Sequence, residues 1–227
     1  MNENDDEIRQ LNRKRADAYL KYICLFLDMD VGSPLFRSFV DNWFGHHQIG
    51  NLNAQPGTFV SKNWKGRPRW FNKQDLQSGK TQRNTARDRF DFVSHAAHHV
   101  CEVHGDEELI KDHVIPVKVL RDVLKEVKKQ LHDSTQVPLC DVKTTLTAFY
   151  KVGLLTQAES KRLDDGKLKQ CMPPGWMDRV KEHLANASST NDFVVAVQGD
   201  KKIGWRMRYE SVVPPISGES RGPPDGG

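Results

Sequence analysis

The chain has 227 residues, long enough for one substantial core or two small domains, with 37% hydrophobic and 28% charged residues. No apolar run approaches the roughly 20 residues that span a bilayer, and the opening Met1–Gln10 is acidic and polar, unlike an export signal. Four scattered cysteines, Cys24, Cys101, Cys140 and Cys171, therefore read as reduced thiols of a cytoplasmic protein, and a net charge of +4 by itself implies no partner.

Residues 5–30 read as a long helix. Ile8, Leu11, Tyr19, Tyr22, Ile23, Phe26 and Leu27 recur at helical spacing, and Asp5, Asp6 and Glu7 stand at its favourable N-terminal end. Gly32, Ser33 and Pro34 break it. A second helix over 35–44 carries Leu35, Phe36, Phe39, Val40 and Trp43. Both are expected to be core, without chemistry, in a helical segment 1–44.

Residues 45–90 form a different region, poor in aliphatics. Between Val60 and Phe90 stand nine cations, Lys62, Lys65, Arg67, Arg69, Lys73, Lys80, Arg83, Arg87 and Arg89, against two anions, Asp75 and Asp88. The local net charge of +7 leaves the rest of the chain at −3. Trp64, Trp70 and Phe71 are interleaved with the cations. Cations that track phosphates, with aromatic faces for bases or sugars, suit nucleic-acid contact. The contacts expected are Lys62, Lys65, Arg67, Arg69, Trp70, Arg83 and Arg87. The plainer alternative is a solvated loop with a few aromatics tucked inward. Residues 63–70 also read as a tight basic turn between short strands, with Trp64 and Trp70 packing across it.

Residues 90–104 read as helical, and His95 and His99 share a face at i, i+4, with His98 beside them. That spacing suits a transition metal, although satisfied or exposed histidines explain it more simply. Cys101 and His104 have the spacing of a zinc ligand pair, but Lys143 stands where Cys140 would need a partner, which argues against a structural zinc. The clearest helix is 117–132, with Val117, Leu120, Leu124, Val127 and Leu131 in one stripe. A helix over 142–152, ended by Gly153, follows. Thr156-Gln157-Ala158-Glu159 is a capping box for a helix reaching about Asp165. Residues 91–190 form one helical region. Residues 191–213 are expected to be a terminal hairpin in which Phe193–Val197 pairs with Ile203–Tyr209 and in which Arg206 and Arg208 extend the basic surface. Residues 214–227, rich in Pro, Gly and Ser, are expected to be disordered.

The stretch that organises these pieces is Asp112-His113-Val114-Ile115-Pro116. An Asp-His pair at a strand end can aim two polar side chains at one point: Asp can hold a cation or orient the imidazole, and His can take a proton from water. Pro116 fits the first turn of the following helix. The alternative is that Asp112 caps that helix and His113 lies on the surface. Cys101-Glu102-Val103-His104-Gly105-Asp106-Glu107-Glu108-Leu109-Ile110-Lys111-Asp112-His113-Val114-Ile115-Pro116 resembles, without a gap, the core of the His-Asn-His (ββα-metal) nucleases, which reads Cys-x-x-Cys-Gly, a polar turn, Leu and Asp-His-Ile-x-Pro. The resemblance implies a general base at His113, a metal ligand at Asp112 and a divalent cation, Mg²⁺ or Mn²⁺. The family's downstream Asn is not found, and only His132 and Asp133 are available to complete the site. Residues 111–176, through Met172-Pro173-Pro174-Gly175-Trp176, are also similar to an uncharacterised group of phage and bacterial proteins.

The expected fold is α+β, mostly helical, with small β-hairpins and a ββα-metal-like element. The expected function is a metal-dependent endonuclease acting on DNA, in restriction or phage defence. The competing readings are a nucleic-acid-binding protein without catalysis and an interaction module of a phage or mobile element.

Overall fold

The computed structural model describes residues 3–29, 33–51, 58–61, 69–72, 91–97, 99, 109–132, 136–200, 203–204 and 206–220. The chain divides into two compact units, Met1–Arg89 and Phe90–Gly227.

The first unit holds α1 (Glu3–Met29), α2 (Ser33–Asn51) and an antiparallel pair, β1 (Thr58–Ser61) with β2 (Arg69–Asn72). α1 matches the expected 5–30 to within two residues at each end, and α2 runs beyond the expected 35–44 at both ends. Ala16, Leu20, Ile23, Cys24 and Leu27 of α1 are buried, as are Phe36, Val40 and Trp43 of α2. Phe39 sits among the rings of Tyr19, Tyr22 and Phe26. Leu11 and Tyr22, expected in the core, are instead about half exposed. Strands do flank residues 62–68, as the basic turn required, but those connecting residues lie outside the described set, so Trp64 and its packing do too.

The second unit is built on a four-stranded mixed sheet in the order β4-β5-β3-β6. The strands are β3 (Phe92–Ser94), β4 (Leu109–His113), β5 (Val152–Thr156) and β6 (Gly218–Ser220). Between β4 and β5 lie α3 (Val117–Leu131) and α4 (Leu139–Phe149). After β5 come α5 (Gln157–Asp165), α6 (Trp176–Ala185), α7 (Thr190–Gly199) and the single turn α8 (Met207–Glu210). β5 runs antiparallel to β4 and parallel to β3. Its Val152-Gly153-Leu154-Leu155 run is buried throughout, as a strand covered on both faces requires. Successive residues point to opposite faces. Leu155 thus joins Phe92, Val114, Leu163, Leu168, Tyr209, Val212 and Ile216, while Leu154 joins Val93, Ala97 and Leu109.

Several expectations are corrected. β3 occupies 92–94, where a helix was expected, and of the other described residues of that stretch 95–97 and 99 are helical. The 142–152 helix stops at Phe149, and Val152 and Gly153 belong to β5. The terminal hairpin is two helices: Ser189 accepts a hydrogen bond from Asp192 N and caps α7, whose Phe193, Val194 and Val197 are buried at helical spacing. In the tail, β6 pairs with β3. A side chain at Gly218 would lie 2.3 Å from the Val93 carbonyl oxygen, so the close approach of these strands needs glycine there. The Thr156–Glu159 capping box is present as expected.

Candidate functional site around Asp112 and His113

Asp112 and His113 are consecutive residues of β4, an edge strand, opposite Gly153 and Val152 of β5. Consecutive strand residues project to opposite faces, so the pair is not aimed at one point. Their partners confirm this: Asp112 meets α8, and His113 meets Tyr150, just past α4.

On the Asp112 side, the Arg208 guanidinium meets the carboxylate through both terminal nitrogens, with Nη1 2.7 Å from Oδ2 and Nη2 3.3 Å from Oδ1. Arg208 is fully buried. Its remaining donors reach main-chain oxygens: Nε donates to Leu168 at 2.6 Å, Nη1 to His113 at 2.6 Å and Nη2 to Lys169 at 3.3 Å. An arginine has five N–H donors, and here each has an acceptor. The Tyr209 hydroxyl adds a further bond to Asp112 Oδ2 at 2.9 Å. Burial first, and then the Asp112 charge, hold that hydroxyl protonated well above the usual tyrosine range, so it remains a donor. One side chain thus fastens α8 to the end of β4 and to the loop after α5.

On the other side, His113 is buried, with Nε2 3.2 Å from the Tyr150 hydroxyl and its ring edge-on to the Tyr150 ring at 5.4 Å. Neither surface histidine nor helix cap describes the pair: the residue capping α3 is Pro116, which makes no side-chain cap bond.

A divalent cation does not fit this arrangement. Both Asp112 oxygens face Arg208, whose positive charge would oppose a metal there. Among the described residues no group of three His, Cys, Asp or Glu side chains converges on one point. β4 pairs with β5, which follows it by two helices, so the hairpin-then-helix order of a ββα-metal element is not formed by the described strands.

Of the expected nucleic-acid contacts, Arg69 and Trp70 lie in β2, opposite Ser61 and Val60. Lys62, Lys65, Arg67, Arg83 and Arg87 lie outside the described residues, as do His98, Cys101 and His104. His95 and His99 are exposed. Arg208, expected on the basic surface, is the most completely enclosed cation of the sheet unit's described residues. The sequence shows an aspartate inside the apolar stretch Leu109–Pro116, which calls for a cation, but offers 34 Lys and Arg to choose from.

A second polar centre joins β3 to α5. Glu159 Oε2 accepts from Ser94 Oγ at 2.6 Å, from Thr156 N at 2.9 Å and from Thr156 Oγ1 at 3.1 Å, and Ala97 N donates to Ser94 Oγ at 3.0 Å. Ser94 and Glu159 are both buried. This is the capping box extended across the sheet.

Comparison of the chain with models of protein families, with curated proteins and with solved structures found no match. No helix among the described residues is long and apolar enough to cross a membrane.

Proposed function

We propose that the protein binds duplex DNA through the basic segment 60–90 and that Asp112 and His113 are structural rather than catalytic. The observation that carries the binding half is the local charge of +7 interleaved with Trp64, Trp70 and Phe71 in a chain whose remainder is −3. The Arg208–Asp112 pair supports the second half, because a carboxylate held on both oxygens by a buried guanidinium is a poor metal ligand. The resemblance of residues 101–116 to the His-Asn-His nucleases is what favours the endonuclease reading.

One experiment separates the readings. Purified protein is titrated against duplex DNA over a range of salt, and the same preparation is incubated with plasmid and Mg²⁺ or Mn²⁺, with and without EDTA. Combined Lys65→Ala, Arg67→Ala and Arg69→Ala should weaken binding and lower the log–log salt slope by about 0.9 for each phosphate that is no longer neutralised. Plasmid should stay intact. An unchanged affinity and slope in the triple variant would remove the basic segment as the binding surface and favour the interaction-module reading. Metal-dependent cleavage that His113→Ala abolishes would restore the endonuclease.

A further inference from the structure

Residues 212–220, which follow α8, close one edge of the sheet unit. Val212 and Ile216 are buried in the apolar cluster around Phe92, Leu163 and Tyr209. Between them Val213, Pro214 and Pro215 stand exposed, Val213 at 90%. β6 then lies along β3, with Gly218 opposite Ser94. The main chain is tied to the body at three further points. Ile216 N donates to Tyr209 O at 3.0 Å, His95 N donates to Ser217 O at 3.0 Å, and Arg162 Nη1 donates to Pro214 O at 3.1 Å. Two positions set what this slot accepts. Position 216 takes an aliphatic side chain into the cluster. Position 218 takes only glycine, because a Cβ there would lie 2.3 Å from the Val93 carbonyl oxygen, 2.6 Å from Phe92 Cζ and 2.7 Å from Ser94 Cα. Two of those three atoms are main chain and cannot turn aside.

The walls of the slot are fastened independently of its occupant. Arg208 and Tyr209 are bonded to Asp112 of β4, Glu159 of α5 is bonded to Ser94 of β3, and β3 is laddered to β5. None of these bonds passes through residues 212–220. We propose that this segment is an exchangeable strap: it lifts from the β3 edge while the walls stay folded, and the slot then takes the same segment of a second copy. An edge position, a three-residue strand and two apolar anchors make it a unit that opens locally, ahead of the rest of the fold. Pro214 and Pro215 restrict the freed arm to extended conformations, the form in which a strand adds to a sheet edge. A second copy's 212–220 meets both requirements of the slot by identity of sequence, Ile216 in the cluster and Gly218 beside Ser94. Reciprocal exchange then remakes in the dimer every contact that each monomer gives up.

Gly218→Ala in the full chain tests this, because its strap fits neither its own slot nor that of a second copy. The probe is a fluorescein-labelled peptide of residues 211–221 with the natural sequence, followed by anisotropy. The Gly218→Ala chain should bind it at least roughly tenfold more tightly than wild type, in which the slot is mostly closed by its own strap. The same peptide carrying Gly218→Ala or Ile216→Asp should not bind. In sedimentation equilibrium the wild type should form a dimer that grows with concentration, and Gly218→Ala should not. Far-UV circular dichroism of the variant should keep the wild-type signal and a cooperative melt. A wild type that is monomeric at every concentration would overturn the exchange. Equal binding of the natural and Ile216→Asp peptides, or no peptide bound by a folded Gly218→Ala chain, would overturn the slot. A Gly218→Ala chain that fails to fold would show that the walls depend on the strap, and that too would overturn the proposal.

Discussion

In the sheet unit several polar side chains are enclosed: Arg208, Ser94, Glu159 and His113 are all buried, each with a partner from a distant part of the sequence. In the helical unit the buried side of α1 is apolar, and Leu11, Tyr22, Leu25 and Met29 elsewhere on it are about half exposed or more. The first unit's segment 60–90 adds the chain's concentration of cations. The contrast separates two uses of polarity. Where Arg208 and Asp112 pair inside, all five guanidinium donors and both carboxylate oxygens are taken up. Where charges remain at a surface, they can select a partner. On the proposed reading, contact with DNA falls to segment 60–90, and Asp112 of the motif that looks catalytic on paper is already engaged by Arg208 and Tyr209.

The sharpest way to break that contrast is Arg208→Met. It leaves the Asp112 carboxylate without its counter-charge and the carbonyls of Leu168, His113 and Lys169 without a donor. Removing one partner of a buried pair costs about 3–5 kcal/mol, because the other charge stays behind uncompensated. Urea unfolding of the full chain should show that destabilisation, and adding Asp112→Asn should recover part of it. A cost within about 0.5 kcal/mol, the range of ordinary surface substitutions, would mean that Asp112 is free for other work.

A smaller effect is expected at Gly153, opposite Asp112 on β5. A Cβ there would lie 2.5 Å from the Tyr209 hydroxyl oxygen, with the ring carbon behind it at 3.4 Å. Gly153→Ala should destabilise by about 1–3 kcal/mol, as overpacking does. Tyr209→Phe removes the offending oxygen together with its bond to Asp112, which should cost about 1 kcal/mol alone. The two substitutions should therefore be strongly non-additive, with Gly153→Ala well tolerated beside Phe. Additive costs in a double-mutant cycle would show that Tyr209 moves aside and does not anchor Asp112.

These sites show which parts of the fold are legible in the sequence. α3 is legible because its apolar stripe is regular, and the N-terminus of α5 because the side chains of Thr156 and Glu159 each accept the other's backbone N–H. α7 reads as a strand because Phe193, Val194, Val195 and Val197 favour strands individually, while the cap at Ser189 and the exposure of Val195 belong to a helix. The mutual placement of Asp112 and His113 follows from strand alternation alone. The partner of Asp112 does not, since 96 residues separate it from Arg208 and no local pattern links them. The second face of α1 is visible as apolar residues at helical spacing, but spacing alone cannot say which of two stripes a fold will cover.

The smallest expected effect concerns Asp91, just before β3. Its Oδ2 accepts from Val152 N at 2.8 Å, and its own N donates to Val152 O at 2.9 Å, so it closes the parallel ladder of β3 and β5. Burial raises its carboxyl above the usual value, with the Lys151 ammonium, 3.9 Å away, acting in the opposite direction. A raised folded-state value means that the folded chain holds this proton more tightly than the unfolded chain. The associated stability is then complete below the usual carboxylate pKa and is lost as pH rises through the folded value. Asp91→Asn keeps an acceptor for Val152 N but cannot ionise. Its melting temperature should match wild type near pH 3 and rise relative to wild type towards pH 7, by roughly a few degrees or less. A variant that is instead less stable than wild type at neutral pH would show that the Lys151 attraction outweighs burial. Asp91 would then join Asp112 as a carboxylate whose charge the sheet unit uses.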